Sequence, residues 1–545
     1  MKSIYLAVVF VGVLRFAQAQ TPCEFGQAAG YACENIDFWA HVPPSEIGGA
    51  STNEVWGWTD PLDGKEYVIL GRNNGVSFFS IEDPANPIQI GFLPTYSTPS
   101  LWRTFRTYQN YLFIGSEASN HGLQIFDLTR LRNPETIPAT FTTDAHYSGF
   151  SRCHTLAIHE ESGLLFACGT NTYSGGLQVV NISNPLAPTI AGGYSDDGYT
   201  HEAQVMTYSG PDPDYQGDII VFCYNGNSPA SLTIVNATDP SDIQTVSITN
   251  YNPASYCHQG WLTPDGRHLL MNDELDEINN QTDFTRTLIW NVEDLDNPIY
   301  EGDFLGPTPA IDHNLYNIGN LSFQSNYTAG LRLIDYSNID NLSLQEVAFF
   351  DHFPSGDNPV FQGTWMHYPY FESGIIPVSD LYNGMFLLEV NFLHLNPALV
   401  NVNPFQSAIY EVSVSEGFAG PIAFEVEGLP DGFQATFSSN NVTAPAVVQL
   451  EIIPSADAVG SYTFDVLANG AHFNYKRSAS INIVVDDSFC ADVDQNGVVA
   501  VGDYLIVTEN YFCTGDCIGD INEDQIVDIN DLILVLNDYG SPCAP

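Results

Sequence analysis

The stretch LQVVNISNPLAP, residues 177–188, joins a short apolar run to an Asn-Pro turn. Six relatives of it occur along the chain. VSFFSIEDPANP starts at Val76, LQIFDLTRLRNP at Leu123, SLTIVNATDPSD at Ser231, TLIWNVEDLDNP at Thr287, LRLIDYSNIDN at Leu331 and MFLLEVN at Met385. A hydrophobic run of strand length that stops at Asp, Asn and Pro is a strand followed by a turn. Recurrence about every fifty residues is the period of a repeat architecture.

The sequence around each copy keeps one order. An inner strand carrying Trp or His comes first, then a second strand such as YLFIGSEA, then the copy itself, then an outer strand such as IQIGFLP. Four short antiparallel strands repeated seven times predict an all-β fold, a seven-bladed β-propeller over residues 46–395. The seventh copy lacks an outer strand. IDFWAHVPPSEI, residues 36–47, overlaps the N-terminal segment 20–45 and is placed to supply it and close the ring. A stacked sandwich is the rival arrangement, but it would not require so even a period.

The chain has 545 residues, 14 Lys and Arg, 65 Asp and Glu, and a formal net charge of −51. Such a polyanion repels nucleic acid and anionic membranes, so neither is expected as a partner. Most of these carboxylates read as solvated surface. The opening MKSIYLAVVFVGVLRFAQAQ is a basic residue, an apolar run and a small-residue site, a secretory signal over residues 1–19. No later apolar run spans a bilayer, so we expect a secreted or cell-surface protein. Its ten cysteines allow disulfides in that setting; their connectivity is not legible. Cys153 and Cys257 directly precede inner-strand histidines, so they read as core or disulfide residues.

Histidine is scarce, yet His154, His201, His258 and His313 recur near the starts of inner strands in the third to sixth repeats. Inner strands line the axis of a propeller, so four imidazoles are expected to converge on one funnel. Trp58, Trp102, Arg103, Glu202 and Trp365 belong to the same inner-strand face. Arg72, Glu117, Asn225, Asp273, Glu274, Asn326 and Asp380 reach it from second-strand ends, and His367 is placed to join it. Neutral imidazole suits iron, copper or zinc, with Glu202, Asp273, Glu274, Arg103 and Glu117 as supporting residues behind the rings. The bland reading is that these histidines hydrogen-bond one blade to the next. Propellers with axial histidines on a redox metal exist in other families, carotenoid oxygenases among them, a comparison by fold analogy alone. NDELDEINNQTD, residues 272–283, reads as a calcium loop or as a solvated acidic turn. No Gly-rich phosphate loop, G-x-S-x-G elbow or H-E-x-x-H helix is present.

Beyond the repeats, residues 396–487 alternate apolar and polar positions and predict an Ig-like β-sandwich, with spacer as its bland role. Residues 488–545 hold two acidic loops. DVDQNGVVAVGD places Asp492, Asp494, Asn496, Val498 and Asp503 at positions one, three, five, seven and twelve. DINEDQIVDIND repeats this with Asp520, Asn522, Asp524, Ile526, Asp528 and Asp531. Alternate oxygens plus one backbone carbonyl, here from Val498 and Ile526, are what Ca2+ needs. Gln525 stands where the first loop has the turn glycine, and Ala500 lacks a side-chain oxygen. Cys490 and Cys543 bracket this small module and are placed to staple it.

The paired loops, each followed by an apolar helix-like run (YLIVTENY, LILVLNDY), resemble a type I dockerin. That resemblance implies a cohesin-like or other cell-surface scaffold partner. The bland alternative is a structural calcium module without one. The segments WGWTDPLDGKEYVILG, LWRTFRTYQNYLFIGSE, YTHEAQV, CHQGWLTPDG, NDELDE, IDHNLY, NYTAGLRLID, YPYFESG and VSDLYNGMF are similar to the choice-of-anchor B family of LVIVD-type repeats. That implies an exported propeller with an attachment module behind it, and names no activity. Two functions follow: a tethered binding module with an unknown funnel ligand, or an extracellular metal-dependent oxidoreductase or hydrolase using the four histidines.

Overall fold

The structure, a computed structural model, describes residues 20–49, 51–227, 229–403, 406–455, 458–484, 491–522 and 524–540. The secretory-signal reading and the Cys490 and Cys543 staple lie outside the described residues. The chain is all-β, built from many small antiparallel sheets, with two short helices near its end. It divides into two compact units, residues 1–390 and 391–545, so the first division falls five residues before the expected 395.

The first unit contains seven sheets of one pattern. We number their inner strands β1 (Thr52–Thr59), β2 (Arg103–Tyr108), β3 (Leu156–His159), β4 (Glu202–Thr207), β5 (Cys257–Leu262), β6 (Asn314–Ile318) and β7 (Thr364–His367). In each sheet the inner strand pairs antiparallel with a second, and the second with a third. Each inner strand touches the next, and β7 touches β1, so the series closes on itself.

The third strands are the recurring apolar copies, and their ends show why the repeat needs Asp and Asn. Asn181 Oδ1 accepts from Ser183 N at 3.0 Å, Asn236 Oδ1 from Thr238 N at 3.0 Å and Asn291 Oδ1 from Glu293 N at 3.1 Å. These side chains satisfy turn amides that the ladder has left behind. Middle strands such as Gly75–Ser80 are buried throughout, because each sheet is covered on both faces, whereas the outer strand Ile299–Leu305 alternates exposed and half-buried.

The seventh sheet draws its fourth strand from the N-terminus. Ile36–Val42 pairs antiparallel with Gly384–Val390, running from Ile36 opposite Val390 to Val42 opposite Met385. The N-terminal hairpin also extends the sixth sheet, where Tyr31–Glu34 pairs with Ser343–Asp351. A disulfide between Cys23 and Cys33 holds that hairpin. Cys153, Cys168, Cys223 and Cys257 are free and buried in the core.

The second unit has two parts. One packs a four-stranded sheet against a five-stranded one, with Tyr410 bridging them: its ring meets Phe464 at 5.3 Å and its hydroxyl donates to Ser480 O at 2.7 Å. The other is a helix pair, α1 (Val501–Glu509) and α2 (Ile529–Asn537), around Ala491, Val499, Val507, Val527 and Val535. A disulfide joins Cys513 to Cys517.

Phe38, 3 % exposed, lies on the strand that closes the ring and stacks on Phe350 at 6.2 Å. Phe38→Ala should cost about 3–5 kcal/mol in denaturant unfolding of the first unit, measured as a lowered midpoint at unchanged slope.

Candidate functional site

Four imidazoles stand side by side at the starts of β3 to β6. Successive ring centroids are 4.1 Å apart for His154 and His201, 4.3 Å for His201 and His258, and 4.5 Å for His258 and His313. Local backbone explains the aim. His258 is the extra residue of a bulge between Cys257 and Gln259, and Trp365 occupies the equivalent bulge in β7. A bulge turns one side chain out of the pleat alternation. Trp102, the four histidines and Trp365 line one cavity of ≈ 300 Å³, with Leu101, Tyr327 and Phe361 also in its wall. A narrow throat of ≈ 30 Å³ lined by Glu54, Glu202 and the same histidines continues it.

A backbone hydrogen bond fixes the His201 tautomer. His201 Nδ1 faces His258 O at 3.0 Å, and His313 Nδ1 faces Trp365 O. His154 Nδ1 faces Glu117 Oε1 at 2.6 Å. A carbonyl oxygen only accepts, so His201 Nδ1 carries the proton and that neutral ring keeps its lone pair on Nε2, whereas His313 Nδ1 is also met by the Asn314 Nδ2 donor at 2.8 Å. His258 Nδ1 is turned to the His313 backbone but lies outside hydrogen-bonding geometry. Burial, with the neighbouring imidazoles adding to it, holds His201 and His258 far below the usual range; burial brings His313 down to about 3. These three rings are neutral at any ordinary pH.

The tightest grouping is smaller than four histidines. His258, His313 and Glu274 each offer a ligand atom within 4.8 Å of the others. Glu274 Oε2 is 3.7 Å from His258 Nε2, and its Oε1 is 3.5 Å from His313 Nε2. Those separations are long for hydrogen bonds. Two ligand atoms bound at about 2.1 Å to one tetrahedral ion stand about 3.4 Å apart, close to what is found. Tyr327 Oη donates to Glu274 Oε1 at 2.8 Å and orients it. Burial raises the Glu274 carboxyl to about 7. Two neutral nitrogens and one carboxylate can hold a divalent transition metal.

Several expected placements are corrected. Glu274 faces the rings directly instead of standing behind them. Asp273 turns away, accepting from Tyr251 Oη at 2.8 Å, Ser255 N at 2.7 Å and Tyr256 N at 2.6 Å. Glu202 bonds no imidazole: it shares Arg106 with Glu54, at 3.3 Å from Arg106 Nη2. Arg103 lines the throat and donates to Thr95 Oγ1 at 2.6 Å. Trp58 is buried near the far end of β1 against Tyr67, and Glu54, in the bulge near the start of that strand, lines the throat. His367 is fully buried and bonds Ser325 Oγ at 2.7 Å, away from the cavity. Glu117 is the one of these carboxylates that lies against His154, at Nδ1. Burial raises its carboxyl, but the His154 hydrogen bond and charge, helped by Arg152, bring it below the usual range. Sequence reading missed Glu54, Arg106 and Tyr327, which no spacing singled out.

In the C-terminal loops, Asp492, Asp494 and Asp503 offer oxygens within 4.8 Å of one another. Asp492 and Asp494 both accept from Asn496 N at 3.0 Å, and Asp503 accepts from Asp494 N and Ala500 N. In the second loop Asp520 accepts from Asp524 N at 3.0 Å and Gln525 N at 2.8 Å, and Asn522 Oδ1 from Asp524 N at 3.1 Å. Asp528 caps α2 through Asn530 N while Asp531 accepts from Ile521 N, Asn522 N and Asp528 N. Val498 and Ile526 expose their side chains beside these loops.

No family model matches the chain, and no curated protein does. Among solved structures, a protein of unknown function from Bacteroides thetaiotaomicron is similar over 65% of this chain and 94% of its own, at 9% identity and TM-score 0.31. WR4, a C. elegans MSP family member, matches over 17% of this chain and 98% of its own at 8% identity and TM-score 0.16. Domains 4 and 5 of the S-layer protein SbsC match over 24% and 69% at 14% identity and TM-score 0.15. Likenesses at these scores carry no functional argument.

Burial raises the Glu202 carboxyl to about 8, with Arg106 opposing and Glu54 adding to it. The folded chain therefore keeps a proton there that the unfolded chain loses above its ordinary value of 4.5, and stability falls as pH climbs from 4.5 to 8. Glu202→Gln should match the parent at pH 4 and exceed it by a few degrees of melting temperature at pH 8, read by calorimetry. Gln525 sits at φ +71°, where the first loop has Gly497 at φ +91°. Gln525→Gly should stabilise the second loop by about 1 kcal/mol, seen as a raised midpoint in denaturant unfolding of the chain.

Proposed function

We propose that this chain is an exported seven-bladed β-propeller that binds a transition metal in its funnel and a small ligand above it. A C-terminal dockerin-like module, loaded with Ca2+, tethers it to a cohesin-like or other surface scaffold. The observation that carries the funnel reading is the convergence of His258 Nε2, His313 Nε2 and one Glu274 carboxylate at the wall of a ≈ 300 Å³ cavity. The seven sheets, their cyclic contacts and the N-terminal strand in the seventh support the propeller.

The donor set suits iron or zinc, both of which take two imidazoles and a carboxylate and leave positions for water or ligand. His154 and His201, tilted beside the set, and the aromatic walls from Trp102, Tyr327 and Trp365 then select what approaches. An enzyme is the second reading, favoured by those open positions. Export is supported by the disulfides Cys23–Cys33 and Cys513–Cys517 and by the N-terminal segment's composition. Among the described residues no helix is long and apolar enough to cross a membrane. Tethering is supported by the apolar side chains the helical module leaves exposed, among them Leu505 at 50%, Leu536 at 53% and Ile518 at 68%.

Elemental analysis of the full chain, purified without chelator, should give one iron or zinc per chain. His258→Ala and Glu274→Gln should each lower it at least tenfold while circular dichroism is unchanged. Retention of the metal in both variants sinks the funnel site.

A further inference from the structure

The inner strands have two ends, and the funnel histidines occupy only one. Toward the other end of β4, β5 and β6 lies a second cavity, ≈ 330 Å³ in volume. Its wall takes Gln204 and Met206 from β4, Trp261 from β5 and Asn317 from β6, and the turn at residues 263–266 adds Asp265. It shares no lining residue with the funnel cavity or the throat.

Two buried amides hold this wall in one arrangement. Gln204 is 8% exposed, and its Oε1 accepts from Leu262 N at 2.9 Å. Asn317 is 6% exposed, and its Nδ2 donates to Trp261 O at 2.6 Å. A backbone N–H only donates and a carbonyl only accepts, so the orientation of both amides is fixed. Gln204 Nε2 is left as a donor with no partner among the described residues, on a side chain that lines the cavity. The same two bonds pin the backbone at Trp261 and Leu262. The Trp261 ring is half-buried and braced against Tyr316 at 4.8 Å and 77°.

These features select a ligand chemistry. Trp261 and Met206 offer apolar surface, and Gln204 Nε2 offers a preset donor. Asp265 is exposed, and its Oδ1 accepts from Thr263 Oγ1 at 2.6 Å and Arg267 N at 3.1 Å, which leaves Oδ2 to accept from a ligand. No basic side chain lines the cavity, and the chain's net charge is −51, so phosphates and carboxylates are disfavoured. One aromatic ring is not the cage that recognises a quaternary ammonium. A hydroxyl both donates and accepts, and a sugar ring carries several hydroxyls around an apolar C–H face, which suits an aromatic wall with a few fixed polar groups. We propose that this cavity binds one ring of a neutral saccharide, packed on Trp261 and hydrogen-bonded to Gln204 Nε2 and Asp265. The site needs no metal and stands independently of the funnel.

The test is saturation-transfer NMR on the full chain, with glucose, galactose, mannose and N-acetylglucosamine in turn and choline as the cationic control. At least one sugar should receive saturation at its ring protons. Trp261→Ala and, separately, Gln204→Glu should each weaken that binding at least tenfold with circular dichroism unchanged. Gln204→Glu keeps an oxygen for Leu262 N and removes the donor, so it decides alone should Trp261→Ala fail to fold. His258→Ala should leave sugar binding intact. A folded chain that binds none of the sugars at tens of millimolar overturns the site. Binding that survives Gln204→Glu, or that His258→Ala abolishes, overturns it too. Choline bound in place of every sugar overturns the saccharide chemistry.

Discussion

Everything in the first unit depends on one pairing, between Ile36–Val42 and Gly384–Val390. Sequential hairpins build each sheet locally, but nothing local makes the seventh sheet meet the first. A strand borrowed from the N-terminus completes the seventh sheet with residues already tied to the sixth through Tyr31–Glu34. Two segments of the first unit about 350 residues apart are thereby bound in one ladder, and closure entropy grows only slowly with such separation. With the ring closed, residues about fifty apart in sequence become neighbours at 4.1 to 4.5 Å.

That closure converts a weak side chain into a strong site. A lone imidazole on a strand has little preference for either tautomer. Here His201 gives the Nδ1 proton to the backbone of the next sheet, so the same bond that locks neighbouring sheets also presents Nε2 to the cavity. The structural and the ligand-binding readings of these histidines are therefore not alternatives. Interlocking supplies the preorganisation that a metal would need.

How much of this was legible in the sequence follows from which features are local. Asx-capped turns after apolar runs are local, so the seven copies and the all-β class could be read directly. The register of inner strands is not local. His258 reaches the cavity because of a bulge, and a bulge in β1 places Glu54 at the throat, four residues before Trp58. No residue type announces a bulge, so Trp58 was misplaced and Glu54 missed. Asp273 and Glu274 are adjacent, and their division of labour, one stapling Tyr251 and the Ser255–Tyr256 amides, the other facing two rings, depends on a turn whose geometry spacing does not encode. Arg106, buried over the Trp56 ring at 4.2 Å and between Glu54 and Glu202, reads in sequence as an ordinary strand-edge arginine.

The acidic character of the chain takes two physical forms that composition merges. In the C-terminal loops, the oxygens of Asp492, Asp503, Asp520 and Asp531 each accept loop amides, so the carboxylates are partly satisfied before any ion arrives. Around the funnel, Glu274 has one hydroxyl donor and Asp312 has none. Loops of the first kind can fold without an ion. Carboxylates of the second kind burden the fold until a cation or proton joins them, which ties the stability of the ring to what it binds.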